Sequence, residues 1–186
     1  MLETKLFSNL SYDEPSGTSR RVNWHAELLN SATQLFHRAR RQSLWLRLKA
    51  RLLGQSAQLL NLSDFKGRLH VHGSHYGGVQ TVPLYRIIGS EQRAGDFDSA
   101  FHPLQAHLRD RWVSVAIAYR QYITLPPVQV IQIGEHYFVR DGHHRVSVAL
   151  ALGQIDIEGE VVVWETAAPL PWEATCGAPQ LVTQAA

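Results

Sequence analysis

Residues 125–153, LPPVQVIQIGEHYFVRDGHHRVSVALALG, constrain the fold more than any other part of the 186-residue chain. Val128, Val130, Ile131 and Ile133 are β-branched, Tyr137, Phe138 and Val139 form a second apolar run, and Gly134-Glu135 separates the two. That order predicts a two-strand hairpin. Beyond it Val146, Ala149 and Leu150 recur at helical spacing and Gly153 is a natural stop, so a short helix is expected over residues 143–152. Asp141-Gly142-His143-His144-Arg145 therefore sits where a strand ends and a helix begins.

The first amides of a helix have no partner within it, and aligned peptide dipoles leave that end partly positive, so it receives anions. Cations in the first turn oppose the dipole by about 0.3–1 kcal/mol per charged group. His143, His144 and Arg145 make sense there if an anion such as a phosphate lies against them. The alternative is that Arg145 pairs with a carboxylate from elsewhere and the imidazoles are packed or solvated. Arginine offers a planar fork suited to phosphate, while histidine, with an ordinary pKa of about 6.5, can donate, accept or shuttle a proton. Asp141 has two readings of equal weight: the N-cap of the helix, or a general base or carboxylate that helps hold the metal of a nucleotide.

The run Y-F-V-R-D-G-H-H-R, followed by an alanine-bearing helix ending A-L-G, resembles the N-terminal domain of ParB-type chromosome partition proteins and the wider fold shared with sulfiredoxin. In that superfamily a glycine followed three residues later by an arginine begins the helix that holds nucleotide phosphates, and the matching positions are Gly142 and Arg145. Val82-Pro83-Leu84 and Ile87 look like the strand that opens the ParB-like domain. The resemblance implies an α+β fold with a small mixed β-sheet of ParB/sulfiredoxin type and flanking helices. It also implies binding of a nucleotide (ATP, ADP or CTP) with Mg²⁺, or of another phosphorylated small molecule. Gly142, His143, His144 and Arg145, with Ser90 and Arg93 from an upstream loop, are the expected phosphate-binding residues, and Asp141 and His144 the expected catalytic ones. Phosphoryl transfer and phosphodiester cleavage are the reactions in view; the alternative is a non-enzymatic, nucleotide-gated, DNA-associated module. The chain departs from sulfiredoxin in carrying His143 where that family has its catalytic cysteine, so the redox chemistry is not supported.

With 45% apolar and 18% charged residues, the chain can bury the core of one domain plus an appendage. The expected organisation is a mobile leader over residues 1–22, a basic helical segment over 23–62, the ParB/sulfiredoxin-like domain over 63–165 and a tail over 166–186. In the helical segment Trp24, Leu28 and Leu35, and then Leu44, Leu48, Leu52 and Leu59, recur at four- or seven-residue steps, with Asn23 as N-cap. Six cations and no acid lie between residues 28 and 63, whereas residues 146–186 hold five acids and no cation. The basic residues read as a solvated face, as partners of the acidic half, or, through Arg38, Arg40 and Arg41, as contacts to DNA phosphates.

His70, His72 and His75 form a weak candidate metal cluster, or a source of further donors beside Gly142. A strand is expected over residues 81–88, then a polar loop in which Asp96 or Asp98 caps a helix over 99–122. That helix carries Phe101, Leu104, Leu108, Trp112, Val115 and Tyr119, and a last strand covers 160–164. The single cysteine, Cys176, excludes an internal disulfide. No apolar run approaches the ~20 residues of a membrane span and no signal peptide is visible, so a cytoplasmic protein without a membrane partner is expected, with a homodimer as an option.

Overall fold

The computed structural model describes residues 18–167, 170 and 172. In chain order these form helix α1 (Thr18–Leu52), strands β1 (Leu60–Asn61), β2 (Val71–Pro83) and β3 (Ile87–Ser90), helix α2 (Arg109–Arg120), strands β4 (Val128–Ile133) and β5 (His136–Asp141), helix α3 (His143–Ala151) and strand β6 (Asp156–Thr166). The six strands make one mixed sheet in the order β1-β3-β5-β4-β6-β2. β4 with β5 and β2 with β6 run antiparallel, and the other neighbours run parallel. The fold is α+β, with the expected hairpin and short helix at its centre.

β2 and β3 stand four places apart in the sheet. In a flat sheet that separation is about 19 Å. Only the single turn Leu84–Arg86 joins them, and four residues of chain reach at most about 14 Å. The sheet must therefore curl, bringing its edges toward each other. The expected strand over residues 81–88 is in fact two strands: the chain leaves β2 at Pro83, whose ring fixes φ at −65°, and re-enters the sheet at Ile87.

Both faces of the hairpin are buried. Val128, Val130, Tyr137 and Val139 pack with Val146 and Ala149 of α3, while Ile131, Ile133 and Phe138 lie under Leu62, Leu69, Leu170 and Trp172. Double-sided burial is why the strands read as nearly continuous apolar runs. Leu170 and Trp172 belong to the core although the sequence placed them in a tail; Cys176 lies outside the described residues.

Two helices differ from expectation. α1 starts at Thr18, so Asn23 is inside the helix rather than at its cap; residues 1–17 of the expected leader lie outside the described residues. α1 buries Ala32, Phe36 and Ala39 against Trp112, Val113 and Ala116 of α2 and Val148 of α3, and leaves Leu44, Leu48 and Leu52 exposed. The helix expected over residues 99–122 begins only at Arg109. Pro103 has no N–H to give and disfavours helical backbone at the residue before it. Residues 99–105 instead form a loop held by buried Asp98, which accepts from the amides of Ala100 and His102 and pairs with His102 Nδ1 at 3.1 Å. Asp98 thus caps a turn and not a helix, and Asp96 faces Arg93 at 3.8 Å.

Candidate functional site

β3 and β5 run parallel with Ser90 opposite Val139, so their C-terminal ends lie side by side and α3 starts at that edge. The first bond of α3 runs from the Val146 amide to the Gly142 carbonyl, at 3.0 Å. Gly142 is the N-cap, has φ of +91° and supplies no side-chain cap. A Cβ there would lie 2.7 Å from Val128 Cγ1 and 2.9 Å from guanidinium nitrogens of Arg145, so the position excludes a side chain by backbone and by space. Asp141 does not cap the helix: its Oδ2 accepts from Arg145 Nη2 at 2.9 Å.

Arg145 is also committed elsewhere. Its Nη1 donates to the carbonyls of Pro126 and of Pro127, the latter at 3.0 Å. These carbonyls belong to the linker entering β4. Only 6% of the side chain is exposed, and burial lowers its pKa while Asp141 opposes the shift. Arg145 therefore ties the β4 linker to the β5 end. The carboxylate it pairs with comes from its own turn.

The two histidines are packed and neutral. His143 Nε2 lies 2.7 Å from Ser90 Oγ, which accepts from the amides of Gln92 at 3.2 Å and Arg93 at 2.8 Å. Two donors occupy the acceptor positions of the hydroxyl, so its own proton goes to Nε2, which leaves His143 as the Nδ1–H tautomer. Phe97 stacks on His143 and meets the His144 ring edge-on. Burial, then the charge of Arg93, pushes the His143 pKa down to about 4, with Asp141 opposing. Burial, then Arg111 and Arg93, pushes that of His144 down to about 3. Neutral rings remove the dipole penalty that charged ones would incur. They also remove the proton shuttle that an ordinary histidine would provide near neutral pH. His144 Nδ1 is buried without a hydrogen-bond partner among the described residues.

The structure thus brings Ser90, Asp141, Gly142, His143, His144 and Arg145 together, with Arg93 beside them. It adds Arg111, an exposed residue in the first turn of α2 that the sequence reading passed over. The signal for Arg111 was absent locally, since its approach depends on how α2 packs on α3. Asp141 and Arg93 keep 54% and 49% of their side chains exposed, so the accessible rim of this neutral floor carries both signs of charge. A separate cavity of about 470 Å³ lies beyond Arg145 and is lined by Tyr119, Ile123, Leu125 and the β6 start; neither histidine borders it.

The other candidates lie apart. His75 pairs with Val163, which aligns with Gln132 and hence Tyr137, whereas Asp141 aligns with Gln129. His70, His72 and His75 are exposed at an edge strand three places from β5, so they add no donors at Gly142. Among the described residues no cluster of three or more His, Cys, Asp or Glu side chains is arranged to hold a metal ion. Arg40 Nε donates to the Leu104 carbonyl at 3.4 Å, leaving Arg38 and Arg41 exposed; no described ion pair joins these residues to the acidic C-terminal half. No described helix is long and apolar enough to cross a membrane.

No protein-family model matches the chain, and no curated protein matches it. The crystal structure of sulfiredoxin from Arabidopsis thaliana is similar in part. It is 20% identical, aligns over 45% of this chain and 82% of that one, and has a TM-score of 0.35. No family is assigned from it.

Proposed function

We propose that the α3 start binds a phosphate-bearing ligand, a nucleotide in the first instance, as the resemblance to the ParB/sulfiredoxin superfamily implies. The observation that carries this reading is a helix N-terminus with no side-chain cap, set beyond the C-terminal ends of two parallel strands, with Arg93 and Arg111 near enough to influence both histidines. The amides of a helix start and the guanidinium groups of arginine are donors that phosphate oxygens accept from.

On this reading the roles differ from those in the sequence pattern. The amides following Gly142, with Arg93 and Arg111, meet the phosphate oxygens. Ser90 fixes the His143 tautomer, and His144 offers an uncharged ring. Arg145 is a positioning residue that aims Asp141, whose carboxylate holds the Mg²⁺ carried by a nucleotide or takes a proton from an attacking hydroxyl as the terminal phosphoryl group transfers.

The test is a thermal-shift series with ATP, ADP, CTP and inorganic phosphate, each with and without Mg²⁺. A ligand at about a hundred times its Kd adds about 2.7 kcal/mol of apparent stability. The shift is expected in the parent protein and is expected to vanish in the Arg93→Gln/Arg111→Gln variant, whose substitutions lie at accessible side chains. No shift with any of the four removes the proposal. Incubation with ATP and hydroxyl acceptors then separates enzyme from switch: product formation lost in Asp141→Ala marks turnover, and binding without product marks a switch.

A further inference from the structure

The C-terminal half of α1 carries a second apolar stripe that nothing in the described fold covers. Leu44 is 62% exposed, Trp45 72%, Leu48 50% and Leu52 79%. On a helical projection these four fall within about 100° of one another. The face that packs on the domain, Ala32, Phe36, Ala39, Ser43 and Ala50, lies on roughly the opposite side. The helix is therefore apolar on two sides, and only the side with Ala32, Phe36 and Ala39 meets α2. The outer stripe is flanked by Arg47 and Arg51 on one shoulder and by Arg38 and Lys49 on the other, and Arg41 lies within it; these five side chains are exposed. Large exposed apolar surface rimmed by charge marks an interaction site.

The charge pattern selects the occupant. There is no acid between residues 28 and 63, so a second copy docked on this stripe, parallel or antiparallel, would set cations against cations. A nucleic acid would satisfy the cations but would leave the three leucines without an apolar partner. An anionic lipid surface satisfies both: leucine and tryptophan enter the boundary between headgroups and acyl chains while flanking arginines and lysine remain among phosphates. We propose that α1 lies on the surface of a membrane containing anionic lipid, through Leu44, Trp45, Leu48 and Leu52. It would lie on such a surface without spanning it. The inference is independent of the proposed phosphate-ligand site.

The test is co-sedimentation of the full chain with phosphatidylcholine vesicles that contain or lack phosphatidylglycerol, at low and high salt. Binding is expected on the anionic vesicles only and is expected to weaken at high salt. The Leu44→Ser/Leu48→Ser/Leu52→Ser variant should lose about tenfold or more of that affinity, given the apolar area removed. The Arg47→Gln/Lys49→Gln/Arg51→Gln variant should lose the preference for anionic lipid. All six positions are exposed, and circular dichroism verifies that the variants remain folded. Failure to sediment with anionic vesicles overturns the proposal, as does binding unchanged by the leucine substitutions. Duplex DNA binding that the charge variant abolishes and the leucine variant leaves intact, with no vesicle binding, assigns the face to nucleic acid instead. Dimerisation lost in the leucine variant, again without vesicle binding, assigns it to self-association.

Discussion

The first turn of α3 and the C-terminal half of α1 carry the same kind of signal, basic side chains interleaved with apolar ones, yet they end in opposite surroundings. α3 is wedged between the sheet and α2, with Val146 and Ala149 in one cluster and Val148 in another, so residues 142–149 are all buried while Asp141 before them and the last turn after them reach water. Its cations are accommodated by losing charge, as the two histidines do, or by pairing, as Arg145 does with Asp141. α1 has one covered side, and Arg41, Leu44, Arg47, Leu48, Arg51 and Leu52 remain in solvent. A basic residue in a helix thus acquires its meaning from how many faces of that helix the fold covers.

The largest expected effect lies in pH. An unfolded histidine titrates at about 6.5, whereas His143 and His144 in the fold are pushed down to about 4 and about 3. Between these values the unfolded chain binds protons that the folded one refuses. The stabilisation from neutral burial is therefore complete above about pH 6.5 and is lost as pH falls toward 4, by up to about 1.4 kcal/mol per histidine per pH unit. Urea unfolding at a series of pH values measures it. A stability profile flat from pH 7 to pH 5 would put the imidazoles in water and erase the contrast with α1.

Arg145→Met comes next. It leaves the Pro126 and Pro127 carbonyls without their guanidinium donor and the half-exposed Asp141 carboxylate without its partner, and a buried acceptor left unsatisfied costs about 1–3 kcal/mol. Arg145→Lys should recover little, because one ammonium cannot reproduce the fork that spans three acceptors. A shift in urea midpoint worth less than about 1 kcal/mol would mean that the guanidinium is not a tie.

The smallest effect sharpens the comparison. Leu44→Ser/Leu48→Ser, on the exposed stripe, should change stability by no more than about 0.5 kcal/mol. Phe36→Ala, on the opposite face against Trp112, should cost about 3–5 kcal/mol. A serine variant that loses as much as Phe36→Ala would show that the outer stripe is covered in the folded protein.

Much of the fold was legible because its signals are local. β-branched runs around Gly134 and the left-handed glycines at 142 and 153 require only neighbours in sequence, whereas α1 runs from Thr18 to Leu52 and the expected helical segment over 23–62 ends in strand β1. Pro103 was equally local, and its presence should have shortened the predicted α2. The break at Pro83 was harder to read, because apolar residues continue across it and only the curl of the sheet separates β2 from β3. Within the site, Gly142 and the His143-His144-Arg145 turn were legible as a group. Their assignments were not: Asp141 could cap the helix or carry chemistry, and the local pattern pointed Arg145 to an anionic ligand, whereas in the fold the two pair with each other.

By itself the sequence determined that a strand hands over to a helix at Gly142, since an apolar strand run precedes it and apolar residues at helical spacing follow it. It also determined that a basic helical segment with leucines at helical spacing would precede the sheet. Tertiary structure alone decided which stripe would be buried, because Trp112 and Val113 meet α1 at Phe36 and at the two alanines beside it, Ala32 and Ala39, where the helices can approach. It decided too that Arg111 would join the site and that Arg145 would turn to the proline carbonyls. Such choices depend on residues distant in the chain, whose approach is set by packing the sheet and helices around a common core.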